Sequence, residues 1–174
     1  YYDFVPLADG RFAVVIADVS GKGLPAALIM PAVKIALRTL AERRAPIGEL
    51  LGELNRIFLD NLPPASYFTL VYAVFDAAAG RLVYANAGHP PPLHMKALGH
   101  EAEWLMPEGP AVGLLHEEVR FETVEVGFEP GDLFVQLQRL SLLFHARRSV
   151  GDSLSRVTGD AWCVYTVADS LLVA

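Results

Sequence analysis

Asp18 stands where an apolar run, Arg11 to Ala17 (RFAVVIA), gives way to the glycine-bearing loop Val19-Ser20-Gly21-Lys22-Gly23. A carboxylate that terminates a buried strand beside such a loop suits a hard cation, because hard cations prefer oxygen ligands and Gly21 and Gly23 permit close backbone approach. An aspartate that simply hydrogen-bonds the loop amides has the same spacing, and spacing alone leaves both readings open. Gly21-Lys22-Gly23 is not a nucleotide loop: the G-x-x-x-x-G-K-[ST] spacing is absent, and Gly23 stands where a hydroxyl would hold magnesium. His89 lies in the proline-rich turn Asn86-Ala87-Gly88-His89-Pro90-Pro91-Pro92. A ligand or catalytic role is conceivable there, but a lone histidine in a turn more often packs or hydrogen-bonds locally, and that is the preferred reading. His94, His100 and His116 lack a two-histidine ligand spacing on one element, which argues against zinc. Tyr67, Phe68, Tyr72 and Phe75 have strand spacing and read as core.

The elements that must position these residues follow from periodicity. Arg11 to Ala17 is apolar on both alternating faces, as a strand buried between two layers is. Pro25 suits the first turn of a helix that should run to about Arg44, with Leu28, Ile35, Leu37, Leu40 and Ala41 among its apolar positions and a bend near Met30 caused by Pro31. Pro46 opens a second helix in which Ile47, Leu50, Leu51, Leu54, Ile57, Phe58 and Leu62 recur at three- and four-residue spacing until Pro63-Pro64. The period then shortens: Ser66 to Phe75 and Arg81 to Ala87 read as a hairpin, and Pro92 to Met95 as a short edge strand. Strands are expected at Ala102 to Met106, Val119 to Val126 and Asp132 to about Val135, the last two joined by the turn Glu129-Pro130-Gly131. Consecutive strands with short turns, interrupted by two helices, give an α+β class with mostly antiparallel sheets. After Val135 the texture loses its periodicity, as in Gln136 to Ser149.

Composition narrows the partners. Apolar residues make up 53% and charged residues 20% of the 174, which excludes a largely disordered chain. Leu24 to Leu37, the longest apolar stretch, is cut by Lys34 and two prolines and falls short of the ~18–20 residues a span needs. A net charge of −6, with no basic run longer than two residues, removes the footprint of a nucleic-acid binder. A single Cys163 excludes an internal disulfide and a cysteine metal cluster and suits a reducing, cytoplasmic setting. The opening Tyr1-Tyr2-Asp3-Phe4, without a start methionine or signal-like region, reads as part of something longer.

Four segments in order carry a resemblance: Tyr1-Tyr2-Asp3-Phe4; Phe12 to Gly23 (FAVVIADVSGKG); Asn86 to Pro92 (NAGHPPP); and Pro130-Gly131-Asp132-Leu133, with Gly109 to Leu114 (GPAVGL) as a further one. Together they resemble the SpoIIE-like branch of the metal-dependent (PPM, type 2C) protein phosphatases. The resemblance implies two packed antiparallel sheets flanked by helices, here incomplete at both ends, with residues 1–135 as the phosphatase domain. It implies two manganese or magnesium ions that acidify a water and clamp the phosphate for in-line attack. Asp18 would be the bridging carboxylate and the Val19 carbonyl a further ligand, with Gly21, Gly23 and His89 shaping the surrounding loops. The helices from 24 to 62 would be the region that passes regulatory signals to the site. The substrate would be a phosphoserine or phosphothreonine protein of the anti-anti-sigma kind in bacterial partner switching, with a sensor domain ahead of Tyr1.

Three departures from the family pattern point to impaired activity. The Gly-Gly-Asp that precedes Tyr-Tyr-Asp-Phe in the family supplies a metal ligand, and Asp3 is a weak substitute. The position of a second family ligand falls at Arg139, and the closing Asp-Asp-x-Thr-Leu pattern is echoed by Asp169-Ser170-Leu171 with one acid. Two dications about 4 Å apart repel by roughly 16 kcal/mol at an effective dielectric near 20, so several carboxylates must offset them. This chain is therefore expected to bind at most one metal weakly. Residues 136–174 read as a divergent or out-of-frame tail; the alternative is an inactive pseudophosphatase that serves as a protein-binding regulatory domain.

Overall fold

The apolar run that ends near Asp18 becomes an inner strand of a five-stranded antiparallel sheet. The computed structural model describes residues 1–21, 24–97, 102–106, 109–115 and 119–135. In chain order the elements are β1 (Tyr2–Pro6), β2 (Phe12–Val19), α1 (Leu24–Ala41), α2 (Ile47–Leu59), β3 (Phe68–Asp76), β4 (Arg81–Ala87), β5 (Leu93–Met95), β6 (Ala102–Trp104), β7 (Val124–Gly127) and β8 (Leu133–Val135). One sheet has the order β1-β2-β3-β4-β7 and the other β6-β5-β8, which is the α+β class expected, with antiparallel sheets and two helices. The chain divides into two compact units, Tyr1–His89 with Met106–Phe128, and Pro90–Leu105 with Glu129–Ala174.

In the first unit, strand alternation sends Ala13, Val15 and Ala17 of β2 and Leu70, Tyr72 and Val74 of β3 into one cluster with Ile29, Val33, Leu37 and Leu40 of α1 and Leu50, Leu51 and Leu54 of α2. The α1 stripe runs through Ile29, Val33, Leu37 and Leu40, so Leu28 and Ile35, read from sequence as apolar positions of this helix, lie on its outer side at 65% and 68% exposure. α1 is one helix across Pro31. Arg38 grips Asp3 of β1 with two hydrogen bonds of 2.8 and 2.9 Å, a bidentate pair between helix and sheet. In α2 the polar Asn55 interrupts the apolar stripe yet is buried, because its Oδ1 accepts from the Gly113 amide at 2.8 Å and holds the Gly109-to-Leu114 segment. That segment bridges Val112 to Phe68 and Gly109 to Ala87.

In the second unit, Asp132 ties the end of β5 to the start of β8. Its Oδ1 accepts from the Ala97 amide at 2.8 Å, and its Oδ2 meets His94 Nε2 at 2.9 Å and the Glu129 amide at 3.1 Å. His94 is 1% exposed, and its Nδ1 faces Glu103 of β6 at 3.2 Å, so one imidazole on β5 links β6 to the residue that precedes β8. β5 was expected at an edge and is instead central. Pro92 lies just ahead of the strand and only supplies a carbonyl, to the Leu105 amide, so the ladder loses no donor. The turn at Glu129-Pro130-Gly131 joins β7 to β8 as expected, and the two strands it joins belong to different sheets.

Two outcomes follow. Gly88 has φ +69°, and a Cβ there would lie 2.8 Å from the Ala111 amide nitrogen. Gly88→Ala should lower the unfolding free energy by at least about 1–3 kcal/mol in urea denaturation. The Asp132 carboxyl, although burial pushes its pKa up, is held below the usual range by the Glu129 amide, His94, the Ala97 amide and Lys96. A depressed carboxyl pKa stabilises the fold above its unfolded value of about 4, and the contribution is lost as pH falls through the folded value. The melting temperature of Asp132→Asn should therefore trail the parent's at pH 6 and converge with it below about pH 4, and a gap independent of pH would contradict this assignment.

Candidate functional site

β2 does not stop before Asp18. Its pairing with β3 continues through Asp18↔Thr69 to Val19↔Phe68, so Asp18 is a strand residue near the sheet's end, with an exposed side chain. Ser20 closes the strand by a reciprocal clamp: its amide donates to the Tyr67 carbonyl at 2.9 Å and its Oγ accepts from the Tyr67 amide at 2.8 Å. Gly21 then takes φ +100°, a conformation that explains a glycine there without any crowding around it. Gly23 lies outside the described residues, as do Arg139, Asp169 and the whole of 136–174.

The register sets which groups share a face. Directly opposed residues of antiparallel strands point the same way, so Asp18 and Thr69 are neighbours on the sheet face turned away from the helices. Asp3 pairs with Val15, three residues from Asp18, and therefore points to the opposite face, where the Arg38 guanidinium holds its carboxyl below the usual range. Asp3 cannot substitute for a missing acid beside Asp18. Ala17 exchanges hydrogen bonds with Tyr1 in both directions, at 2.8 and 2.9 Å. By the alternation of the ladder, the Val19 carbonyl faces that same β1 side, past Tyr1.

His89 extends the row. Its ring Nδ1 lies 2.8 Å from Thr69 Oγ1, and Thr69 Oγ1 makes a longer donation, 3.4 Å, to the Asp18 carbonyl. The His89 main chain is gripped at both ends by Asn86, whose Nδ2 donates to the His89 carbonyl and whose Oδ1 accepts its amide, both at 2.8 Å. The imidazole is 3% exposed, and its Nε2 is buried without a hydrogen-bond partner among the described residues. Burial pushes its pKa down, while the Asp18 carboxylate pulls the other way. Local bonding of His89, the preferred reading from sequence, is thus what the geometry contains, but the bond leads to the Asp18 row. Thr69, Asn86 and Ser20 were not singled out from sequence. The Asn-x-Gly-His spacing carried the signal for Asn86, since an asparagine side chain that reaches forward to its own main chain is a common turn device.

Among the described residues no three acidic, histidine or cysteine side chains converge as a metal cluster. Asp18 and the Val19 carbonyl fit the oxygen chemistry of one hard divalent ion, and the described residues do not furnish the carboxylates a second ion needs. A cleft of about 720 Å³ in the first unit lies elsewhere, between Leu7, Arg11, Arg44, Ile47, Tyr72 and Val83, and contains none of the Asp18 row.

Known proteins resemble this chain in sequence and in fold. The family described as Stage II sporulation protein E (SpoIIE) matches residues 8–137. The phosphoserine phosphatase RsbU of Bacillus subtilis is 30% identical over 135 residues, covering 78% of this chain and 40% of RsbU. The phosphoserine phosphatase RsbP of the same organism is 29% identical over 139 residues, covering 77% of this chain and 34% of RsbP. The chain thus spans less than half the length of these relatives. The structure of the RsbU and RsbW domains of a Mycobacterium tuberculosis protein superposes with a TM-score of 0.66 at 30% identity, covering 77% of this chain and 37% of that one. The PP2C phosphatase domain of Bacillus subtilis SpoIIE superposes with a TM-score of 0.67 at 19% identity, covering 77% and 38%, a likeness of fold. Phosphatases of this kind depend on metal ions. The match across three quarters of the chain, in the segments that build and flank the Asp18 strand, makes it a member of the SpoIIE family of PP2C-type phosphatases.

Proposed function

We propose that residues 1–135 form a metal-dependent phosphoserine/phosphothreonine protein phosphatase domain that is impaired in the chain as it stands. The observation that carries this reading is the position of Asp18, an exposed carboxylate at the end of the central strand pair, inside the segment matched by the family. A divalent manganese or magnesium ion, two of them in the intact family site, would supply Lewis-acid polarisation of a phosphoryl group and an acidified water. Asp18 and the Val19 carbonyl would hold the first. The register extends the argument: Tyr1 and Ala17 form a hydrogen-bonded pair, so a residue ahead of Tyr1 would oppose Asp18 as a non-bonded pair, with Cα atoms roughly 4.5 Å apart and both side chains on one face. The family pattern has an aspartate there. On this reading the partner is a phosphorylated protein of the anti-anti-sigma kind, a sensor domain precedes Tyr1, and the setting is cytoplasmic. No helix among the described residues is long and apolar enough to cross a membrane. Residues 136–174 form the divergent or out-of-frame tail, with Asp169 at most the one acid that echoes the family's closing pair.

One observation favours a second reading, a module that keeps the fold and binds a phosphoprotein without turnover: the described residues lack a convergent acidic cluster. Hydrolysis of p-nitrophenyl phosphate with manganese separates the two. A chain extended upstream by its native residues should turn over substrate only with manganese, and Asp18→Asn should reduce that turnover at least about 100-fold. The chain as it stands should bind no more than one manganese, weakly. Tight phosphoprotein binding with no turnover in any of these forms would favour the binding module, and a sub-millimolar two-site isotherm for this chain would contradict its impairment.

A further inference from the structure

The imidazole of His89 is buried and held by an unusual amount of polar structure for a turn residue. Asn86 fixes its main chain from both sides, and Gly88 takes φ +69° to bring it round beneath Ala111. The strong side-chain bond from this ring goes to Thr69 Oγ1 at 2.8 Å, and Thr69 is the direct cross-strand neighbour of Asp18. A β-branched threonine has few χ1 rotamers open to it, and the bond to a locked ring selects the one that keeps its hydroxyl against the Asp18 main chain, where it meets the carbonyl at 3.4 Å.

We propose that His89 is a positioning residue for the Asp18 site: clamped by Asn86, it fixes the Thr69 hydroxyl against the Asp18 main chain, on the sheet face that carries the Asp18 carboxylate, and so narrows the directions in which that carboxylate can meet a divalent ion. This rests on the reading of Asp18 as a metal ligand. It gives the Asn86-to-His89 turn a task that its sequence separation from Asp18 conceals. Groups that orient a ligand without touching the ion commonly affect metal affinity by 10–100-fold, so the effect belongs in binding and not only in stability.

Manganese binding to the full-length protein, followed by the loss of the free-ion electron paramagnetic resonance signal, tests this without relying on turnover. Thr69→Val should weaken binding about tenfold, and Thr69→Ser, which keeps the hydroxyl, should stay within about twofold of the parent. His89→Phe should weaken binding as much as Thr69→Val, and the double variant should be no worse than either, because the two residues act as one chain. Unchanged affinity in Thr69→Val, no rescue by Thr69→Ser, or additive losses in the double variant would each overturn the proposal. If His89→Phe fails to fold, the Thr69→Val and Thr69→Ser comparison decides alone. Asp18→Asn distinguishes the two levels: if it leaves binding intact, the Asp18 reading fails and the proposal with it. If it abolishes binding while Thr69→Val does nothing, only the positioning role fails.

Discussion

Eight consecutive cross-strand pairs between β2 and β3, from Phe12↔Phe75 to Val19↔Phe68, are the constraint on which the rest depends. Side chains alternate along a strand, so this one register decides that Val15, Ala17, Leu70 and Tyr72 go beneath the helices and that Asp18 and Thr69 stand together on the other face. A slip by one residue would turn the carboxylate under the helices and the residues that now pack there to the other face. The two helices cover one face, so they stabilise the register through apolar burial without occupying the face that carries the polar row.

Much of this was legible in the sequence, for identifiable reasons. Arg81 to Ala87 was read with the bounds of β4, because its alternation is clean and a turn precedes it. α2 was legible from its three- and four-residue apolar spacing; only its end differs, at Leu59 instead of Leu62, where Asp60 caps the backbone. β1 was not read as a strand, since five residues ending in Pro6 carry too short a pattern, and its existence depends on β2 beside it. The central place of β5 was hidden for a related reason: a proline run suggests an edge, and only the partners brought from Trp104 and Val135 reveal otherwise.

At the site, residue type found Asp18, while geometry was needed for Thr69 and for the connection to His89. Fifty-one positions separate Thr69 from Asp18, and no local pattern marks a threonine in an apolar strand as polar company for an aspartate. Asn55 and Asp132 show the same limit. Neither shows in sequence which groups it holds, and each is, in the fold, the fixed point of a loop or a small sheet.

The attachment of α1 is uneven along its length. Its C-terminal half is fastened to β1 by the bidentate Arg38 grip on Asp3 and by buried Leu37 and Leu40. Pro31 has no amide hydrogen to give the carbonyl of Ala27, so one rung is missing between that half and the turns that follow the Asp18 loop. Pro31 itself stands on the exposed side of α1, while Ile29 and Val33 on either side of it are buried in the core, so apolar packing carries the helix across the missing rung.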